Sequence, residues 1–167
     1  MRTFFLSVIT FLAVAASGSA QESTVYPFRV NGFFGTGGVI SGGETNNIFH
    51  IGGGAEGQIY KGLGAGVEAG YLAPRQDWGA GIGTVSPNLN FHFVHSAEQK
   101  VVPFITGGYT LGFRGGSENL YNLGGGIDYW PKQHVGLRFD VRDHVLPSAC
   151  CDATAHFLVF RVSLLGR

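Results

Sequence analysis

The sequence contains few charged residues: Asp, Glu, Lys and Arg make up 13% of its 167 residues, about half the share found in soluble globular proteins. The 11 basic residues balance the 11 acidic ones, so neither sign is in excess. This balance argues against nucleic acid or an acidic polymer as a partner, because both require a basic surface. It also leaves few ions to cover a domain surrounded by water.

Long apolar runs are scarce as well, and the single clear one lies at the start of the chain, at residues 4–16. The small residues at 18–20 that follow this run suit cleavage by a signal peptidase before Gln21. No later run approaches the roughly 18 apolar residues that a membrane-spanning helix needs. We therefore predict a signal peptide at residues 1–20, a short N-terminal segment at 21–27 and one exported domain at 28–167.

Cysteine is also rare, and the two that occur, Cys150 and Cys151, are adjacent. An exported protein meets an oxidising compartment, where thiols tend to form disulfides. A vicinal disulfide between these two neighbours is one alternative, although its ring would be strained. Free or intermolecular thiols are the other. Neither cysteine follows the signal segment, so the sequence does not predict a lipid anchor there.

Glycine, in contrast, is abundant, with 28 residues spread among Val, Ile, Leu, Phe and Tyr. Many segments are apolar at every second residue, which is typical of strands with one apolar and one polar face. Most reach the 9–11 or so residues with which a tilted strand crosses a bilayer. The pattern predicts eight strands, at residues 28–39, 48–60, 63–72, 81–94, 101–113, 119–130, 135–144 and 155–165.

The links between these strands alternate in character. The chain's three lysines, Lys61, Lys100 and Lys132, fall in every second link. Short periplasmic turns alternating with longer extracellular loops are typical of an outer-membrane barrel. We therefore predict that the lysines lie at the periplasmic end. The remaining links, predicted to be extracellular and mostly longer, are residues 41–47, 73–80, 114–118 and 145–154.

The polar face of the predicted strands carries as many positive as negative charges. In the seventh strand, for example, Arg138, Asp140 and Arg142 alternate with apolar residues. A soluble barrel or sandwich would turn this sparsely charged, glycine-rich face to water, whereas a membrane barrel would turn it to the lumen. An eight-stranded barrel is narrow, so we expect ion pairs to close it. The predicted lumen set is Arg29, Glu56, Glu68, Asp128, Arg138, Asp140, Arg142 and Arg161.

Two neighbouring motifs carry a family resemblance. Residues 124–130 read GGGIDYW, and residues 136–142 read GLRFDVR. This pairing resembles the late hairpin of small outer-membrane barrels of the OmpA/OmpX type. The resemblance implies an all-β, eight-stranded antiparallel up-and-down transmembrane β-barrel, with outer-membrane lipid and the outer-membrane assembly machinery as partners.

The chain departs from that family in two ways. It stops after the barrel, so we do not expect the peptidoglycan-binding domain that many members carry. It also ends Leu-Leu-Gly-Arg at residues 164–167, where the family usually has a terminal aromatic. Phe160 is the candidate substitute in recognition by the assembly machinery.

Candidate catalytic and metal-binding residues are few. The His-x-Ser pair of lipid deacylases is not reproduced, because His95 and Ser96 lack the spacer and His92 precedes Val94 in place of a serine. No Gly-x-Ser-x-Gly elbow occurs. Four residues of types that bind zinc cluster late in the chain, but the alternation of side chains along the strands turns the two histidines to opposite faces. These four residues are His144, Cys150, Cys151 and His156.

Together these features predict a monomeric outer-membrane barrel with a structural or surface-interaction role, without cofactor, metal or catalytic residues. Its extracellular loops would offer a contact surface for an unidentified ligand. A small pore is the alternative, and a lipid-modifying enzyme is a weaker one. Aromatic residues near strand ends are candidates for interfacial girdles, although Trp130 fits hairpin packing equally well. The girdle candidates are Phe28, Tyr71, Trp78, Tyr129 and Trp130.

Overall fold

Alternating apolar and polar residues form antiparallel strands along the whole described chain. The computed structural model describes residues 28–41, 44–94, 99–147 and 154–167. Within these residues a short 3-10 helix, Trp78–Ala80, precedes the fourth strand. The strands are β1 (Phe28–Ser41), β2 (Glu44–Tyr60), β3 (Leu63–Pro74), β4 (Ile82–His92), β5 (Val101–Phe113), β6 (Ser117–Tyr129), β7 (Val135–Leu146) and β8 (Ala155–Gly166).

Each strand pairs with the next one in the sequence, and the last pairs with the first. The seam between β8 and β1 is long, running from Val30 opposite Gly166 to Ile40 opposite His156. The sheet therefore closes on itself and has no free edge. The predicted all-β, eight-stranded antiparallel fold is confirmed.

Among the described residues, none of the helical segments combines the length and the hydropathy of a transmembrane helix.

The two ends of the barrel are distinguished by their links. We call the end with Lys61, Lys100 and Lys132 the lysine end, and the opposite end the loop end. At the lysine end β2 turns into β3 through Lys61 and Gly62. Gly62 has a φ of 82°, a conformation that a glycine adopts without steric cost.

The predicted contrast in loop length between the two ends is smaller in the structure. The prediction of a loop over residues 41–47 is wrong, because Ser41 pairs with Glu44 and only residues 42–43 remain as the link. At the lysine end, in turn, β4 stops at His92, so the link to β5 spans residues 93–100. Alternation of polarity marks the membrane-facing part of a strand, whereas backbone pairing continues beyond it regardless of polarity.

The outer wall of the barrel is apolar. Large side chains that are at least one-third exposed alternate along every strand with side chains that point inward. Tyr60 departs from this alternation: it lies two residues after the inward Gln58 but is 64% exposed, because the register shifts between Gln58 and Tyr60. Outward residues include Phe34, Ile51, Val67, Leu89, Ile105, Leu123, Ile127, Phe139, Val141, Phe160, Val162 and Leu164.

Candidate functional site

The eight charged residues predicted for the lumen all lie inside the barrel. Six of them are buried, and the Glu56 and Glu68 side chains are only 11–12% exposed. Glycines on neighbouring strands leave space for these long side chains. A methyl group built on Gly35 would lie 2.8 Å from Cγ of Arg161, and one built on Gly54 would lie 2.8 Å from Cγ of Glu68. Larger residues at these positions would displace the charged side chains.

The charged residues form two clusters, and the one nearer the lysine end is centred on Asp128. Arg138 donates two hydrogen bonds to its carboxylate, from Nε at 2.6 Å and from Nη2 at 2.9 Å. Arg29 Nη1 lies 3.4 Å from Asp128 Oδ2. His92 Nε2 lies 2.6 Å from Oε1 of Glu56, whose Oε2 is 3.8 Å from Arg138. Arg29 and Arg138 carry two positive charges, and Glu56 and Asp128 carry two negative charges, in this Asp128 cluster.

The second cluster is centred on Glu68 and lies nearer the loop end. Arg161 donates to both oxygens of Glu68, at 3.0 and 3.2 Å, and to both oxygens of Asp140, at 2.9 and 3.3 Å. Arg142 is paired less well: its Nη1 is 3.5 Å from Glu68 Oε2 and donates to Asn122 at 3.1 Å. Two arginines again balance two carboxylates in this Glu68 cluster.

Two buried aromatic rings support the clusters. The Arg138 guanidinium carbon lies 4.1 Å from the centre of the Phe104 ring, and that of Arg161 lies 4.4 Å from the Phe33 ring. The Phe104 ring also stacks on His92, at 5.6 Å between centroids. Cation–π attraction strengthens where water is excluded, so these rings help to hold the guanidinium groups in place.

A layer of uncharged polar groups lies beyond the Glu68 cluster. The His50 and His144 rings meet edge to face at 5.5 Å. His50 Nε2 contacts the Thr84 hydroxyl at 3.3 Å, and His144 Nδ1 contacts the Thr110 hydroxyl at 3.1 Å. Both imidazoles are thus held by hydroxyl groups inside the lumen.

Apolar residues cap the lumen at both ends. At the loop end, buried Ile48, Leu72 and Val159 contact one another and are flanked by Val39, Ile82 and Phe157. At the lysine end Trp130 contacts Val102 and Leu165. Trp130 is 4% exposed, so its assignment to an interfacial girdle is wrong. Its indole is instead the centre of the cap at the lysine end.

The other girdle candidates lie outside the lumen. Phe28, Trp78 and Tyr129 are exposed on the outer wall. The Tyr71 hydroxyl donates a hydrogen bond to the Trp78 carbonyl oxygen. The Trp78 ring covers Phe49, with 4.0 Å between centroids. These positions near strand ends fit aromatic side chains at a membrane interface.

Of the four candidate zinc ligands, the two that the structure describes, His144 and His156, lie apart. Cys150, Cys151, His95 and Ser96 lie outside the described residues. His144 lies inside the lumen, whereas His156 lies outside and contacts Asp143 at 2.8 Å. Among the described residues, no group of three or more His, Cys, Asp or Glu side chains could hold a metal ion.

The lumen next to the Asp128 cluster contains a small cavity. Its volume is about 10 Å³, and its lining includes Glu56, Gln58 and His92. A volume of roughly 10–15 Å³ accommodates one water molecule. The buried Gln58 Oε1 has no protein partner, so one water fits here both in size and in hydrogen bonding.

The alternation of polar and apolar residues along each strand predicted which side chains face inward. It did not predict which charged residues form ion pairs, or that apolar residues cap the lumen. His92 belongs to the Asp128 cluster, and its inward parity beside Asn88 and Asn90 was the signal for it. The caps carried a weaker signal. Ile48 lies two residues from the inward His50, and Val159 lies two residues from the inward Arg161. A single apolar residue among polar ones does not by itself predict an apolar cap.

The comparisons with known proteins agree with this architecture. Neither a protein-family model nor a curated protein sequence matches the chain. Among solved structures, Neisserial surface protein A is similar with a TM-score of 0.65 at 12% identity, covering 84% of this chain and 97% of that protein. The N-terminal β-barrel domain of Pseudomonas aeruginosa OprF is similar with a TM-score of 0.56 at 10% identity, covering 83% and 96%. These likenesses confirm the predicted resemblance at the level of the fold.

Proposed function

We propose that this chain is an outer-membrane β-barrel protein with a structural or surface-interaction role and a closed lumen. The observation that carries the proposal is the inverted polarity of the wall. Large apolar side chains point outward, while four arginines and four carboxylates lie inside. In water such an exterior would be one large apolar patch, whereas in a bilayer it contacts lipid tails.

The contents of the lumen support closure. Five groups occupy the lumen in order from the lysine end to the loop end. They are the apolar cap around Trp130, the Asp128 cluster, the Glu68 cluster, the layer that contains His50 and His144, and the apolar cap around Ile48. Each ion cluster is neutral by formal charge. Carboxylates and arginines of a narrow lumen are stable there when they are paired in this way.

A non-catalytic role fits the described side chains. The hydroxyl groups that contact imidazoles, those of Thr84 and Thr110, are buried inside the lumen. A lipid substrate on the outer wall would not reach them. The pair of His156 and Asp143 does lie outside, but the described contacts of that pair include no nucleophilic hydroxyl.

The partners proposed from this architecture are outer-membrane lipid and the outer-membrane assembly machinery. The latter would recognise β8, whose outward face presents Phe160, Val162 and Leu164. We place the lysine end in the periplasm, together with both termini, and the loop end outside the cell as the contact surface. The closed sheet lacks a free edge for a second copy, which favours a monomer.

The proposal predicts how the mature chain, residues 21–167, folds. In plain buffer it should aggregate or stay unfolded, and in detergent micelles or lipid vesicles it should become β-rich, as measured by circular dichroism. Unboiled folded samples should migrate differently from boiled ones on a denaturing gel. A monomeric, β-rich protein in buffer without detergent would contradict membrane residence.

A small pore is the alternative function, and the polarity of the lumen is the observation that favours it. Several buried polar atoms have no protein partner, among them Nε and Nη2 of Arg142 and Oδ1 of Asn88. Water entering the lumen would satisfy such atoms. A continuous file of water would require both apolar caps to open.

A further inference from the structure

The surface at the lysine end differs from the rest of the barrel surface in charge. Lys61, Lys100 and Lys132 are exposed and lie in the links β2–β3, β4–β5 and β6–β7. Successive links at one end are two strands apart. In a closed barrel of eight strands, each lysine therefore occupies its own quarter of the rim. The Arg167 side chain does not extend this set, because its guanidinium carbon lies 3.9 Å from the centre of the Trp130 ring and its Nε donates a hydrogen bond to the Gln133 carbonyl oxygen.

The described links of this rim carry exposed lysines and no exposed acidic side chain. Glu56 and Asp128 lie close to this end, but both are turned into the lumen and paired in the Asp128 cluster. Glu98 falls in residues 95–98, which the structure does not describe. The loop end is mixed in sign, since it carries Arg75 and Arg114 together with acidic residues such as Asp77 and Glu118.

The lysines also border the apolar outer wall directly. Lys61 Nζ lies 5.6 Å from the centre of the Tyr60 ring, which is itself exposed. Lys100 immediately precedes the exposed Val101, and Lys132 lies between Tyr129 and Val135, which are also exposed. A lysine at the edge of an apolar belt extends its stem along that belt and places its ammonium group in the headgroup layer.

We propose that this rim binds the phosphate groups of anionic phospholipids in the adjoining leaflet, with Lys61, Lys100 and Lys132 as the three contact points. The inference rests on the proposed membrane residence. Its basis is charge complementarity at the height of the headgroups. The links that carry the lysines begin at the border of the apolar wall, which favours a lipid phosphate over an anionic polymer outside the membrane. Anionic lipid surfaces attract such basic residues, and the attraction decreases with added salt.

The test compares urea unfolding midpoints in vesicles of pure phosphatidylcholine with those in vesicles in which part of it is replaced by phosphatidylglycerol. The anionic lipid should raise the midpoint of the unaltered protein. In the triple variant Lys61→Gln, Lys100→Gln, Lys132→Gln most of the shift should be lost, because all three proposed contact points are removed. High salt should remove the shift.

The matched control removes two cations at the loop end, in the double variant Arg75→Gln, Arg114→Gln. It should keep the full shift of the unaltered protein. An equal shift in the triple variant, or the absence of any shift in the unaltered protein, would overturn the proposal. Failure of membrane residence itself is distinguishable, because the protein would then not fold into pure phosphatidylcholine vesicles at all.

Discussion

At the scale of single residues, the four lumen arginines differ in the number of carboxylates that they bind. Arg161 makes hydrogen bonds to two carboxylates and Arg138 makes two to one, whereas Arg142 has its nearest carboxylate oxygen at 3.5 Å. An arginine that leaves a buried carboxylate unpaired when it is removed is costly to lose. The contribution of each arginine therefore depends on what remains around its partner.

Replacing Arg138 with Gln should destabilise the barrel by about 3–5 kcal/mol, because Asp128 would keep only Arg29, at 3.4 Å, as a cationic partner. Arg142→Gln is the matched control and should cost clearly less, since Arg161 still binds Glu68 through two hydrogen bonds. Urea unfolding in micelles measures both. Equal costs for the two variants would show that the pairing described here does not govern stability.

Sequence parity was enough to find the lumen charges, but not to pair them. Whether Glu68 meets Arg161 depends on the stagger between strands that are far apart in the chain, and strand alternation does not define that stagger. Trp130 shows a related limit. Its position beside a turn fitted both a girdle and hairpin packing, and only the closed barrel showed that its indole fills the end of the lumen.

At the scale of the strands, substitutions along the outward face of β7 test how deeply each position lies in the membrane. Val141 and Val135 are both exposed on this face, Val141 near the middle of the strand and Val135 at its lysine end. Val141→Arg should cost about 2–4 kcal/mol in vesicles, and Val135→Arg about 0–1 kcal/mol, because the cost of a cation falls towards the interface. Measured unfolding free energies that are the same for both variants would contradict the proposed depth of β7.

Strand positions were largely predictable from alternation, and the strand ends were less so. β5 begins and ends at the predicted residues, Val101 and Phe113, because an apolar residue occurs at every second position up to Gly107 and the polar links are abrupt. β1 and β2 extend further than predicted, since Thr45 and Asn46 pair with Ile40 and Val39 as a hairpin above the apolar wall. Polarity alone does not show where such a hairpin ends.

At the scale of the whole molecule, two apolar caps and two ion clusters lie in series along the lumen. The unaltered protein in a planar bilayer should therefore show no steady conductance. The double variant Arg138→Ala, Arg161→Ala removes the central cation of each cluster and should show more frequent open events. Steady, large conductance from the unaltered protein would replace the closed-barrel proposal with the pore.

The long-range ion pairs also bear on how the barrel selects its own geometry. A slip of one residue at the β8–β1 seam would turn every side chain of the shifted strand to the wrong face, so the hydropathy pattern excludes it. A slip of two residues would keep all faces correct, and hydropathy would not detect it. Such a slip would, however, carry Arg161 one layer away from Glu68, a partner 93 positions earlier in the chain. The ion pairs of the lumen therefore disfavour closure of the barrel with a shear that is wrong by two residues.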